Sequence, residues 1–194
     1  MNNRTISYYN THSIEYSEQV NRADMTDTCL RFLKHVPEGG SIVDLGCGSG
    51  RDLRFFKEHG YDAYGVDASS ALCDVASGYS GCPVVCSDFL SWEPGRRFDA
   101  LWANASLLHL TGDEIIEFFK TKLSFLNDGG VVYFSMKKDI DTGYDEKGRF
   151  FTPFSEDLLD RIMKTNSNLK ILERWTQGDR LNRETIWESV ILKI

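Results

Sequence analysis

Apolar residues are arranged along this chain in two alternating patterns. Short apolar runs are typical of buried strands, and apolar residues spaced every three to four positions are typical of helices that pack one face on a core. The runs predict strands at 42–45, 61–66, 83–86, 98–103 and 131–136. The helical spacing predicts helices at 25–36, 51–58, 70–77, 112–126 and 155–165. Strands that alternate with helices in this way indicate a doubly wound α/β fold.

The C-terminal stretch follows a different pattern. Residues 169–175 and 185–194 alternate apolar and polar positions around the turn Gln177-Gly178-Asp179. Such alternation is typical of strands with one buried face, and the turn between them indicates an antiparallel hairpin. We therefore predict a three-layer sandwich around a seven-stranded, mostly parallel sheet in which the last strand is antiparallel.

The first predicted strand leads into three glycines at alternate positions, in Asp44-Leu45-Gly46-Cys47-Gly48-Ser49-Gly50-Arg51. Glycines allow positive φ and a close approach of ligand to main chain, and the N–H groups of the following helix face the same crevice. The dinucleotide fingerprint requires a glycine where Arg51 stands, and the phosphate-binding loop requires Gly-Lys-Ser/Thr, which is absent. Asp44 would repel a pyrophosphate, but it suits a ligand that carries an ammonium group or another cation.

This segment resembles the first motif of the Rossmann-like (class I) S-adenosylmethionine-dependent methyltransferases. Later segments agree in order and spacing: Gly65-Val66-Asp67-Ala68-Ser69, Cys86-Ser87-Asp88-Phe89, Phe98 to Asn104, and Leu126 to Tyr133. The resemblance extends over about residues 40–137 and is specific for the cofactor, not for the methyl acceptor. It implies a small bacterial-type methyltransferase, and because the chain adds little beyond the core except the lid and the loop from Lys137 to Pro153, a small-molecule acceptor is favoured over a large RNA or protein.

The resemblance also implies the residues that bind the cofactor. They are Tyr9, Tyr16, Asp44, Gly46, Cys47, Gly48, Arg51, Asp67, Ala68, Asp88, Phe89 and Asn104. In this interpretation Asp67 accepts hydrogen bonds from two ribose hydroxyls, Asp88 binds the adenine amino group and Phe89 forms an apolar wall. Tyr8, Tyr9 and Tyr16 belong to a polar segment predicted to form a short helix and a loop. By the same resemblance, this segment covers the cofactor as a lid whose aromatic faces stabilise the sulfonium.

The residues themselves leave alternatives open. Asp67 is also suited to cap the next helix, and Asp88 is also a common turn residue. Arg51 is placed either to bind the methionine carboxylate or to pair with Asp52 or Glu58 on a solvated face. The tyrosines of the lid segment are equally suited to an ordinary packing surface.

Two residues are candidates for catalysis, His109 and Arg149. A histidine near the transferred methyl can serve as general base for a hydroxyl or amine, whereas a histidine in an apolar run is often a hydrogen-bonded structural residue. Arg149 lies with Lys137 in a segment expected to cross the carboxyl ends of the strands. There the two cations either receive an anionic acceptor or are simply solvated. No general base is required if the nucleophile is already an anion.

Length and composition indicate one domain of 194 residues. We divide it into an N-terminal helical lid at 1–36, a cofactor-binding core at 40–137, and a substrate loop with a C-terminal hairpin at 138–194.

The net charge of −7 argues against a dedicated nucleic-acid binder, and Asn104-Ala105-Ser106 is not the Asn-Pro-Pro-Tyr of amino-methylating DNA enzymes. Five cysteines without paired spacing indicate reduced thiols and no metal site. No signal peptide or membrane-spanning run is visible, so we expect a cytoplasmic protein that does not bind membranes.

The sequence thus predicts an S-adenosylmethionine-dependent methyltransferase with a small-molecule acceptor and no nucleic-acid partner, as a monomer or homodimer. One alternative is methylation of a macromolecule, such as tRNA or protein. Another is a non-catalytic module that binds S-adenosylmethionine, and a nicotinamide oxidoreductase is disfavoured by Arg51.

Overall fold

The computed structural model describes residues 3–181 and 183–194. Its strands are β1 (Ser41–Leu45), β2 (Asp62–Asp67), β3 (Val84–Cys86), β4 (Phe98–Asn104), β5 (Leu126–Lys137), β6 (Gly143–Tyr144), β7 (Phe150–Phe151), β8 (Lys170–Gly178) and β9 (Ile186–Lys193). In this part of the chain, seven strands form one sheet in the order β3-β2-β1-β4-β5-β9-β8, and β6 pairs with β7 separately.

The strand directions confirm the predicted fold. β1 pairs in parallel with β2 and β4, β2 with β3, and β4 with β5. β9 is antiparallel to both β5 and β8, so the last strand of the sheet reverses direction within a C-terminal hairpin, as predicted. The order reverses between β1 and β4, and a crevice forms beyond the carboxyl ends of the strands at such a point.

The helices are α1 (Asn3–Thr11), α2 (Ser13–Val20), α3 (Thr26–Leu33), α4 (Arg51–Glu58), α5 (Ser70–Ser80), α6 (Gly112–Lys122) and α7 (Glu156–Thr165). Their starts follow local capping: the Thr111 hydroxyl and the Glu114 carboxylate form a capping box at α6, and the Ser155 hydroxyl accepts from the Leu158 N–H at α7. The lid segment differs from the prediction, since it forms two helices and not one short helix with a loop. β5 also begins five residues earlier than predicted, at Leu126.

Alternate residues of the central strands pack on opposite faces of the sheet. Val43, Leu101 and Val132 face α6 and α7, whereas Ile42, Trp102 and Tyr133 face α3, α4 and α5. Trp102 stacks on Tyr133 with ring centroids 3.9 Å apart. These two apolar layers complete the three-layer sandwich and hold the strand ends in fixed positions. None of the helices in the two described ranges is long and apolar enough to cross a membrane.

Candidate functional site

A cleft opens at the carboxyl ends of β1, β4 and β5, with an empty volume of about 970 Å³ that includes space open to solvent. α1 and α2 supply one wall, and the β8–β9 connection supplies another. Among the residues of the described ranges, no group of three or more His, Cys, Asp or Glu side chains is placed to hold a metal ion.

The glycine loop after β1 brings backbone close to this cleft. Gly46 has φ +83°, and a Cβ there would lie 2.4 Å from the Cβ of Ser106, in the segment after β4. Gly50 has φ +79°, and its Cβ would lie 2.8 Å from the carbonyl oxygen of Ala76. Both positions therefore require glycine, for conformation and for space. Cys47 lies between them, is buried and lines the cleft.

Asp44 lies at the base of this loop with only 2% of its surface exposed, and it lines the cleft. Within residues 3–181 and 183–194, its carboxylate has no hydrogen-bond partner or ion pair. Burial, and then the nearby Asp52, raise the pKa of Asp44 well above its usual range. A buried carboxylate in this state is costly unless a ligand satisfies it.

The neighbouring Asp52 has a full set of partners. Arg51 donates from Nε to Oδ1 at 2.6 Å and from Nη2 to Oδ2 at 3.0 Å. Trp102 Nε1 and Asn104 Nδ2 also donate to Oδ2, at 2.9 and 3.0 Å. Burial opposes ionisation of Asp52, but Arg51 and these donors hold its pKa below the usual range. Arg51 thus forms the ion pair with Asp52 that was the second alternative, although the pair is buried and not solvated, and it also donates to the Val20 carbonyl of α2 at 3.1 Å.

Asn104 and its neighbour shape the cleft floor at the end of β4. Asn104 Oδ1 accepts from the Ser135 hydroxyl at 2.7 Å, and the same hydroxyl accepts from the Ala105 N–H at 2.9 Å. Ala105 has φ +55°, which is unusual for a residue with a side chain. Residues held in sparsely populated backbone conformations cluster at functional sites.

Asp67 lies behind the glycine loop, outside the lining of the cleft. Its Oδ2 accepts from the Gly48 N–H and its Oδ1 from the Ser69 N–H, both at 2.9 Å. Burial raises the pKa of Asp67. The carboxylate therefore joins the glycine loop to the start of α5. Ala68 follows it and is half-buried.

The predicted adenine-binding pair also lies outside the cleft lining. Asp88 Oδ1 accepts from the Leu90 N–H at 2.9 Å, which is a turn geometry. Phe89 is fully buried and packs edge-on against Phe118 of α6, with ring centroids 5.9 Å apart. Its side chain therefore belongs to the core and does not form a wall of this cleft, because the apolar surface under α6 accommodates it.

The lid helices reach the cleft through two tyrosines. Tyr16 lies over the glycine loop, where a Cβ on Gly48 would contact its ring at 3.5 Å, and burial raises its pKa to about 12. The Tyr9 ring lies 5.0 Å from the Tyr16 ring. Tyr8 is stacked on His12 and is absent from the described lining.

His109 is held between the lid and the β6–β7 hairpin. Its Nδ1 lies 2.7 Å from the Phe150 carbonyl oxygen, and its Nε2 lies 2.9 Å from the Tyr9 hydroxyl. A carbonyl only accepts, so Nδ1 carries the proton and Nε2 accepts from Tyr9. Burial lowers the pKa of His109 to about 4. This geometry favours the structural interpretation over that of an available general base.

Cations gather at the end of the cleft opposite Asp44. Arg149 lines this end, and its Nε and Nη2 donate to Asp145 Oδ2 at 2.9 and 2.7 Å. Lys137 lies beside it at the end of β5, over the Phe151 ring at 4.3 Å. Arg183 from the β8–β9 connection donates from Nε to Asp179 Oδ1 at 2.9 Å and from Nη2 to Oδ2 at 2.7 Å.

Sequence reasoning missed the contribution of this connection, which includes Asp179, Arg180 and Arg183. The turn at 177–179 was visible, but no local signal shows that an antiparallel hairpin folds back over the cleft.

Comparison with known proteins gives a family and a set of structural neighbours. Residues 16–173, well over half of the chain, match a family described as a methyltransferase domain. A trans-aconitate 2-methyltransferase of Escherichia coli (strain K12 / DH10B) is 33% identical over 119 residues, which are 59% of this chain and 46% of that enzyme. The match therefore spans about half the length of that relative.

Solved structures share the fold. A Burkholderia thailandensis 1,6-didemethyltoxoflavin-N1-methyltransferase, with its substrate and S-adenosylhomocysteine bound, has a TM-score of 0.76 and 17% identity; the match covers 97% of this chain and 84% of that one. A magnesium protoporphyrin IX methyltransferase of Synechocystis PCC 6803 with bound S-adenosylmethionine has a TM-score of 0.67 and 14% identity, covering 95% and 83% of the two chains. At these identities the likeness concerns the fold.

Proposed function

The chain belongs to the methyltransferase domain family, and from this premise we propose that it transfers a methyl group from S-adenosylmethionine to a small-molecule acceptor. The observation that carries the proposal is Asp44, a buried carboxylate without a protein partner in the described ranges, at the base of a glycine loop that leaves no room for side chains. A carboxylate in this position suits the ammonium group of the cofactor.

Other residues fit the remaining parts of the cofactor. Tyr16 lies over the glycine loop and lines the cleft, so its ring is the aromatic group that we assign to the sulfonium. Asp67 and Asp88 lie outside the cleft lining, behind the glycine loop and after β3, and we keep them as the proposed partners of the ribose hydroxyls and of the adenine amino group. Arg51 acts by holding Asp52 and the lid helix α2, and not by binding the methionine carboxylate.

When bound, the cofactor supplies a methyl group on a positively charged sulfur as the electrophile. The chain contributes alignment and exclusion of water. Tyr9 and Tyr16 cover the cleft, and the rigid strand ends of β4 and β5 fix the floor on which the acceptor lies. The lid tyrosines over the cleft favour a small acceptor, and the relative named for trans-aconitate and the structural neighbour named for 1,6-didemethyltoxoflavin agree with that class.

The test is calorimetric titration with S-adenosylmethionine, S-adenosylhomocysteine and NAD in parallel. We expect micromolar binding of the two adenosyl ligands and none of NAD. Asp44→Asn should weaken both adenosyl ligands about tenfold or more, since a hydrogen bond to a charged group contributes about 1.5–3 kcal/mol. Because the carboxylate is buried and unpaired, this variant should be at least as stable as the wild type, so weaker binding would not reflect misfolding.

Asp128→Asn is the matched control, because Asp128 is an exposed aspartate in the turn at the start of β5. Equal affinity of the Asp44→Asn variant and the wild type would refute the assignment of Asp44. Binding of NAD alone would favour an oxidoreductase. Tight cofactor binding without methyl transfer to any small molecule, protein or RNA of a cell extract would favour the non-catalytic module.

A further inference from the structure

We propose that the methyl acceptor is a small carboxylic acid, anionic at neutral pH, and that Lys137 is the residue that recognises its carboxylate. This inference rests on the proposed function and names the substrate class of the same cleft. It is carried by the balance of charges at the end of the cleft formed by Lys137, Arg149, Arg180 and Arg183.

Two of these cations are already neutralised. Arg149 forms an ion pair with Asp145, and Arg183 forms one with Asp179. The Asp179 carboxylate also accepts from Trp187 Nε1 at 3.0 Å. Each acid is thus fully occupied by its own arginine. These pairs shape the end of the cleft but contribute little net charge to it.

Lys137 differs from these two arginines, and also from Arg180, which is exposed and donates to Gln177 Oε1 at 3.2 Å. In the described part of the chain, no carboxylate lies within ion-pair distance of its Nζ. Its side chain is half-buried, with Nζ 4.3 Å from the centroid of the Phe151 ring and 5.7 Å from that of Trp187. These rings hold the ammonium group in place at the cleft surface, where a cation–π contact stabilises it without neutralising it.

The surroundings of Lys137 favour an anionic ligand. Burial, and then Arg149 and Arg183, lower the pKa of Lys137, and the acids paired with these arginines partly offset their effect. A bound carboxylate would pair with the ammonium group and replace the water that burial has removed.

The arrangement of His109 agrees with an acceptor that needs no deprotonation. Its Nε2 accepts from Tyr9 and its low pKa makes it a weak base. A carboxylate oxygen already carries the electron pair that forms the new bond to the methyl carbon. The methyl–sulfur bond breaks, its electron pair stays on sulfur, and the products are a methyl ester and S-adenosylhomocysteine, with no proton transferred.

The test is calorimetric titration of acetate, succinate and propane-1,2,3-tricarboxylate, each beside its neutral amide, with and without saturating S-adenosylhomocysteine. We compare the wild type with Lys137→Met and with Lys138→Met. Lys138 is the matched control because it follows directly in the chain but pairs with Glu188 at 3.2 Å, away from the cleft, where Arg174 also neutralises that glutamate.

We expect the wild type to bind at least one acid about tenfold or more tightly than its amide, with an affinity that falls as ionic strength rises. Lys137→Met should remove that preference without changing the affinity for S-adenosylhomocysteine, and Lys138→Met should retain it. Equal binding of acid and amide, no binding of any of the three acids, or an unchanged preference in Lys137→Met would overturn the inference.

The cofactor arm separates this inference from the proposed function. If S-adenosylhomocysteine fails to bind while an acid binds through Lys137, the carboxylate site stands and the methyltransferase proposal fails. If S-adenosylhomocysteine binds and the acids do not, the reverse holds.

Discussion

The buried imidazole of His109 should make the protein lose stability in mild acid. Burial lowers its pKa from 6.5 to about 4. The unfolded chain therefore takes up this proton near the ordinary pKa, and the folded protein takes it up only at much lower pH. The stability that His109 contributes is complete above the unfolded pKa and is lost as the pH falls toward the folded one.

The size of this loss follows from the two pKa values. Between about pH 7 and about pH 5, the difference in proton uptake corresponds to about 2 kcal/mol of unfolding free energy, and the full shift corresponds to about 3 kcal/mol. Asp44 and Asp67 act in the opposite direction, since burial raises their pKa values and the folded state gains stability when they are protonated. The wild-type curve alone therefore does not isolate the histidine.

The assay is urea unfolding across this pH range for the wild type and for His109→Gln. Glutamine can donate to the Phe150 carbonyl and accept from Tyr9, but it does not titrate. The stability advantage of the wild type over this variant should shrink by about 2 kcal/mol between about pH 7 and about pH 5. His59→Gln is the control, because His59 also contacts a main-chain carbonyl but is exposed.

An advantage that is constant across this range, or that grows as the pH falls, would refute the reasoning. It would mean that the folded protein protonates His109 as readily as the unfolded chain does. The hydrogen bond between Nε2 and Tyr9 would then not exist in the form described.

Two further predictions concern the loops around the cleft. Gly50→Ala should lower the unfolding free energy by about 2 kcal/mol or more, because its φ is +79° and the new Cβ would lie 2.8 Å from the Ala76 carbonyl oxygen. Gly95→Ala is the control and should have little effect, because a Cβ there meets nothing within 4 Å. Equal losses of stability for the two variants in urea unfolding would contradict the prediction. Asn10→Ala should weaken the binding of S-adenosylhomocysteine several-fold, as measured by calorimetry. The reason is that Asn10 Oδ1 accepts from the Ser69 hydroxyl at 2.7 Å and thereby docks α1 beside the Asp67 end of the site. Unchanged affinity would show that this contact does not hold the lid.

The fold could be predicted from the sequence because its signals are local. The apolar runs at 42–45 and 98–103, the glycines after β1 and the capping box at Thr111 each act over a few residues. The alternation of 169–175 and 185–194 was sufficient to indicate the reversed last strand. The early start of β5 was missed because Leu126 pairs with Phe98 ahead of an irregular stretch, Asn127-Asp128-Gly129-Gly130, whose sequence is typical of a turn, and regular pairing resumes at Val131.

The cleft could be predicted only in part, because its contacts join distant positions. The glycine loop and Asp44 are contiguous in the chain, so their motif was recognisable. His109 depends on Tyr9 and on Phe150, and no local pattern indicates that these three meet. Phe89 shows the same limit: an apolar residue after a strand is suited both to a cofactor wall and to the core, and tertiary packing decides between them.

Two buried or half-buried charged groups of the cleft, Asp44 and Lys137, have no ion-pair partner in the described ranges, whereas the exposed Arg180 donates to Gln177 Oε1. Asp44 is the carboxyl group that a bound cation would ionise, because Arg51 already neutralises Asp52. Lys137 is the residual cation, because the two arginines beside it have acids of their own. A cationic cofactor and an anionic acceptor would satisfy both. Methyl transfer between them removes the positive charge on sulfur and the negative charge on the reacting carboxylate, so the attraction that assembles the reactants is absent from the products.

The lid contacts both of these ends through adjacent residues of one helix. Tyr9 of α1 donates to His109 near the acceptor end, and Asn10 accepts from Ser69 near the cofactor end. An opening of α1 wide enough to admit either ligand would therefore break contacts at both ends. A ligand that stabilises the closed lid at one end therefore also stabilises closure at the other end. Binding of cofactor and binding of acceptor should be mutually cooperative, and the coupling free energy is set by the part of each binding free energy that depends on the lid.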